Sequence, residues 1–257
     1  MSRLSGAFAH GKAFIAFVTG GDPTLARSEE FILEMARAGA DVIEIGIPFS
    51  DPIAEGPVIQ AANLRALAAG ATVPKIFELT RRVRAQTDVP LVFLTYLNPV
   101  FRYGYDAFFA KCAEVGVDGV IIPDLPFEEQ GEARADAAAH EIDIISLIAP
   151  TSDARVAEIA KGAAGFLYVV SSTGVTGVRG EIKTDLRAML RAVRTASSVP
   201  AAVGFGVSTP EQAREIAQYA DGVIVGSAIV RIVAEHGESA GEHVYAYVKA
   251  MKDAVRE

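Results

Sequence analysis

Two carboxylates and two glycine-bearing turns carry most of the chemistry this chain can do. Glu44 stands inside an otherwise apolar run, Val42-Ile43-Glu44-Ile45-Gly46-Ile47. Read as a strand, the run places Val42, Glu44 and Gly46 on one face and the three isoleucines on the other. An ionised carboxylate is costly to bury, so Glu44 needs polar company or a raised pKa. Gly46, lacking a side chain, leaves space beside it. The following loop is punctuated by Pro48, Pro52, Gly56 and Pro57 and carries Ser50, Asp51 and Glu55. Such punctuation shapes a loop that is neither strand nor helix. Glu44 on a strand end and Glu55 in the next loop form a candidate acid/base pair. Asp51 suits either an Asx turn or a partner contact, and Asp124 is either a site carboxylate or a loop organiser.

Farther along, apolar runs end in Gly204-Phe205-Gly206 and in Gly226-Ser227, and the second opens a helix. Glycine lets the backbone approach an anion, and a helix N-terminus offers free N–H groups and a positive dipole. Both turns suit phosphate, although glycine is also ordinary between strand and helix. His10, His140, His236 and His243 fall outside the expected strand ends, which argues against a histidine-ligated metal. No lysine ends a strand, which argues against a Schiff-base aldolase or a pyridoxal phosphate site on this chain. Carboxylate acid/base chemistry on a phosphorylated substrate remains.

The elements that must position these groups follow a regular rhythm. Strand signals fall at 14–18, 42–47, 91–95, 119–122, 142–148, 165–170, 201–203 and 222–225. Amphipathic stretches lie between them at 25–38, 74–86, 106–115, 127–140, 152–160, 183–196 and 210–219, with a last one from 239 and an extra helix at 58–69. Strands alternating with helices imply parallel pairing and right-handed crossovers. Eight such units in 257 residues predict an α/β fold of the (β/α)8 TIM-barrel kind, spanning 1–257 as one domain. In that fold active sites gather at the C-terminal ends of the strands, with phosphate at the last two. Glu44, Tyr96, Asp124 and Tyr168 fall at such ends, while Phe17, Tyr96 and Phe205 would more ordinarily be core. The glycine-rich segment 171–180 is either a surface loop or a lid.

Composition narrows the partners. Hydrophobic residues make up 51% of the chain, enough for a large core, and the formal charge of −8 disfavours nucleic acid and anionic membranes. Cys112 is the only cysteine, so no intrachain disulfide forms. With no apolar run of membrane length, the expectation is a cytoplasmic protein.

The stretch from Asp41 to Gln60 closely resembles the signature of the tryptophan synthase alpha subunit family: a strand glutamate, then G-x-P-F-S-D-P and an acid before G-P. The resemblance extends to Phe17-Val18-Thr19, Gly21-Asp22-Pro23, Asn63-Leu64-Arg65, Gly174-Val175-Thr176-Gly177, Gly204-Phe205-Gly206 and Gly226-Ser227-Ala228-Ile229-Val230. It implies an eight-stranded barrel that cleaves indole-3-glycerol phosphate, by a retro-aldol reaction, into indole and glyceraldehyde 3-phosphate. Glu44 would move the proton between the glycerol hydroxyl and indole C3, and Glu55 would hydrogen-bond the indole N–H. Glu55 departs from the family pattern, which has aspartate there. Tyr168 and Thr176 would line the site, Phe17, Tyr96 and Phe205 would enclose the indole, and Gly177, Gly206, Gly226 and Ser227 would hold the phosphate. The resemblance also implies an alpha-beta-beta-alpha heterotetramer whose pyridoxal phosphate sits on the beta subunit, with no cofactor on this chain. Two other readings fit the same residues: a sugar-phosphate isomerase barrel, and a regulatory barrel that activates a partner without catalysis of its own.

Overall fold

The computed structural model describes residues 3–150, 153–170, 186–204 and 206–256. Nine parallel strands form one sheet: β1 (Ala13–Thr19), β2 (Val42–Gly46), β3 (Leu91–Leu94), β4 (Gly119–Ile121), β5 (Asp143–Ile144), β6 (Leu147–Ile148), β7 (Leu167–Val170), β8 (Ala201–Gly204) and β9 (Gly222–Val225). Their order is β5-β4-β3-β2-β1-β9-β8-β7-β6. The two ends of that row are consecutive pieces of chain, so the sheet closes into a barrel.

The run 142–148, expected as one strand, is divided between the last two of these positions. β5 pairs only with β4, and β6 only with β7. Ile145 N–H still donates to Val120 O at 2.9 Å, and Tyr168 N–H to Ser146 O at 3.0 Å, so the ladder changes partner without a gap. Side-chain alternation also runs through unbroken: Ile142, Ile144 and Ile148 pack outward, Ile145 and Leu147 inward. The expected strand exists as a pleat and is split only in its hydrogen bonding.

Twelve helices surround the barrel among the described residues: α1 (Arg3–Ala7), α2 (Leu25–Arg37), α3 (Pro57–Ala68), α4 (Val73–Arg84), α5 (Leu97–Tyr103), α6 (Tyr105–Val115), α7 (Gly131–Ala139), α8 (Asp153–Lys161), α9 (Leu186–Ala196), α10 (Pro210–Ala217), α11 (Ser227–His236) and α12 (Gly241–Arg256). The stretch 127–140, expected as one helix, is a 3₁₀ turn at Phe127–Glu129 followed by α7. Neither α1 nor α5 is legible in the sequence, since five and seven residues show too little periodicity.

One core layer lies between strands and helices, and a second fills the barrel itself. The inner layer is built from alternate strand residues, including Ile15, Val42, Val92, Ile121, Tyr168, Ala202 and Ile224. Leu4 of α1, fully buried, plugs the N-terminal mouth. Room for it comes from glycine: a Cβ on Gly119 would lie 3.1 Å from Leu4 Cδ1, and one on Gly222 3.2 Å from Phe8 Cε1. Burying one such leucine contributes about 1.5–3 kcal/mol. With that mouth closed, it is the C-terminal end of the barrel, among the described residues, that opens to a ligand.

Candidate active site

A cleft of about 710 Å³, counting its part open to solvent, lies at that end. Glu44 enters it from β2, where register places it between Phe17 of β1 and Val92 of β3. It is fully buried, and neither carboxyl oxygen has a hydrogen-bond partner among the described residues. Burial in these apolar surroundings pushes its pKa up to about 8. At neutral pH Glu44 therefore holds a proton that it can deliver.

Glu55 reaches the same cleft from the β2–α3 loop. It is 6% exposed, and Asn63 Nδ2 donates to its Oε2 at 2.6 Å. Burial raises its pKa to about 7, opposed by hydrogen bonds from Asn63 and Tyr96. Two carboxyl groups from separate elements thus share a cleft, one mostly protonated and one near half-ionised at neutral pH.

The walls are mainly apolar. Phe17, Ile59, Leu94, Leu147 and Ile224 line them, drawn from four strands and from α3. Tyr168 also lines the cleft, and its hydroxyl is raised well above the ordinary range by burial and by Glu44. Ile59, Leu94, Leu147, Val207 and Ile224 were not singled out from the sequence. Nothing distinguishes them there from core residues.

Other residues sit differently from the expectation. Space beside Glu44 was expected at Gly46, but Phe17 fills it: a Cβ there would come within 2.8 Å of Phe17 Cζ. Tyr96 lies behind Glu55, 1% exposed and outside the cleft lining. Its hydroxyl accepts from Ala54 N–H at 3.2 Å, and its ring stacks on Phe49 with centroids 5.4 Å apart. Asp124 is a loop organiser, accepting from the first N–H of α5 at Leu97 over 2.8 Å. Asp51 is exposed and hydrogen-bonded to Ser50. Thr176, Gly177 and Phe205, with the segment 171–180, lie outside the described residues.

The far wall carries the glycine turns. Gly206 has φ 91°, a left-handed conformation suited to glycine. Thr209 caps α10 through a reciprocal bond with Gln212, which anchors the helix that follows this turn. Gly226 and Ser227 open α11, whose N-cap has no side-chain hydrogen bond. The first N–H groups of this ten-residue helix lie at the cleft edge, the arrangement that favours an anion. On the opposite side, Arg65 of α3 grips Asp22 with bonds of 2.8 and 2.7 Å, tying α3 to the loop after β1.

Comparison with known proteins agrees with this geometry. The family model described as tryptophan synthase alpha chain matches residues 7–256. The tryptophan synthase alpha chain of Lacticaseibacillus casei is 48% identical over 255 residues, covering 99% of this chain and 96% of the relative. That of Lactiplantibacillus plantarum is 52% identical, over 92% of this chain and 90% of the relative. Among solved structures, Mycobacterium tuberculosis tryptophan synthase superposes with a TM-score of 0.91 at 35% identity, covering 100% of this chain and 99% of that one. A tryptophan synthase complex from Pyrococcus furiosus gives 0.87 at 35% identity, covering 95% and 99%. The chain belongs to the tryptophan synthase alpha chain family.

Proposed function

We propose that the cleft cleaves indole-3-glycerol phosphate into indole and glyceraldehyde 3-phosphate, with Glu44 as proton carrier and Glu55 as the carboxylate at the indole N–H. The observation that carries this reading is the meeting of the two buried carboxyls in one apolar cleft. Glu44 delivers its proton to indole C3, and positive charge develops on the ring nitrogen, where the Glu55 carboxylate stabilises it. The bond from C3 to the side chain breaks and its electrons return to the ring. The side-chain hydroxyl becomes the aldehyde, and its proton passes to Glu44, which restores the acid. Apolar walls at Phe17, Ile59, Leu94 and Leu147 suit indole better than a bare sugar phosphate. Gly206, Gly226 and Ser227 are placed to hold the phosphate. Thr176, Gly177 and Phe205 are assigned to the site on family resemblance alone, and Tyr96 acts through Glu55.

The partner is a tryptophan synthase beta subunit carrying the pyridoxal phosphate, so this chain itself needs no cofactor. Three large apolar side chains, Ile53, Leu64 and Phe101, are 73, 63 and 65% exposed, on the β2–α3 loop, α3 and α5. They offer a docking rim beside the cleft. No helix among the described residues is long and apolar enough to cross a membrane. The whole of 1–257 acts as one barrel domain. A coupled assay for glyceraldehyde 3-phosphate tests the reading: release that depends on both Glu44 and Glu55 supports it, and none from the parent protein overturns it.

A further inference from the structure

We infer that Asn63 is a positioning residue for Glu55, holding its carboxylate where it faces the cleft. The inference rests on Glu55 being the carboxylate that meets the substrate N–H, as proposed above. Residues 54 and 55 are attached at three points. Ala54 N–H donates to the Tyr96 hydroxyl at 3.2 Å, the Glu55 carbonyl accepts from Gln60 Nε2 at 2.8 Å, and Glu55 Oε2 accepts from Asn63 Nδ2 at 2.6 Å. The backbone is therefore held by two of them, and the carboxylate by the third.

Asn63 is itself fixed. It is 3% exposed on the face of α3 that also buries Ile59, Ala62 and Ala66, and two residues on Arg65 locks α3 to Asp22. Without the Asn63 amide the Glu55 carboxylate is free to swing, and a misplacement of about 1 Å is the scale that costs about a hundredfold in rate. A carboxylate has about four lone-pair sites, so Glu55 can accept from Asn63, Tyr96 and a substrate N–H together.

The full-length chain turning over indole-3-glycerol phosphate provides the test, with kcat and KM measured separately for the parent, Glu55→Gln, Asn63→Ala and Asn63→Asp. Asn63→Ala should lower kcat about a hundredfold with KM within about threefold. Asn63→Asp is isosteric and should fold even where Asn63→Ala does not. Its new carboxyl raises the Glu55 pKa by like-charge proximity, so the acid limb of its pH profile should move to higher pH than the parent's. A merely structural role for Asn63 would not move that limb. Asn63→Ala and Asn63→Asp both near parental rates, with Glu55→Gln inactive, would overturn the positioning role while leaving Glu55 in place. Parental activity in Glu55→Gln would remove the assignment on which the inference stands.

Discussion

The ring of Phe17 lies between two glycines: a Cβ on Gly46 would meet Phe17 Cζ at 2.8 Å, and one on Gly226 would meet Phe17 Cδ1 at 3.3 Å. Gly46 is thus the seat of a cleft wall, and any side chain there pushes the ring toward the ligand. Gly46→Ala should destabilise the fold by about 1–3 kcal/mol. It should also lower kcat/KM about tenfold, through displacement of the wall. Thermal denaturation and steady-state kinetics on one preparation check both, and parental kcat/KM would show that the ring has room to yield.

Glu44→Gln should abolish cleavage, by a factor of about 10² to 10⁴, because an amide cannot carry the proton. Stability should move the other way. The Glu44 pKa is raised from 4.5 to about 8 in the folded protein, so the folded state holds the proton more tightly than the unfolded chain. Stability therefore falls as pH rises from about 4.5 through about 8, at about 1.4 kcal/mol per unit for a fully shifted group. The glutamine variant lacks that loss. Urea titrations at both ends of the window should find it less pH-dependent than the parent and more stable at the alkaline end.

The same two groups set the pH range of catalysis. Cleavage needs Glu55 ionised and Glu44 protonated, and their pKa values are about 7 and about 8. A profile of kcat/KM against pH should be a narrow bell, rising through the lower value and falling through the higher. A profile flat across both values would reassign the pair.

Partner binding should be separable from chemistry. Phe101 on α5 is 65% exposed and outside the cleft lining. Phe101→Asp should weaken beta-subunit binding about tenfold or more, because exposed aromatics make the anchors of such interfaces. Turnover by the isolated chain should stay within about twofold of the parent, as the charge is added away from the reacting groups. Calorimetric titration with the beta subunit measures the first and the coupled assay the second.

At the closed end of the barrel, Lys252 of α12 is 4% exposed. It pairs with Asp41 and donates to Lys12 O at 3.1 Å, while Asp41 also accepts from Phe14 N–H at 2.6 Å. This knot ties the last helix to the start of β1. Lys252→Met keeps the apolar stem but leaves Asp41 without its cation, and should cost about 3 kcal/mol. A denaturation midpoint equal to the parent's would show that solvent at Asp41 replaces the lysine.

Residue type and spacing alone determined the alternation of strands and helices, the face on which Glu44 stands, and the glycine turns at 206 and 226. Those features are local, since side-chain direction follows from a period of two and turn chemistry from a few adjacent residues. Tertiary structure decided which groups meet. Glu55 finds Asn63 eight residues away and Tyr96 beyond a further helix and strand, and Gly46 proves to be a seat for Phe17. Asp124 caps α5 from another loop, and the 142–148 strand changes ladder partner midway. Each of these contacts depends on barrel closure, which brings distant strand ends within a few ångströms, and no short-range pattern records that distance.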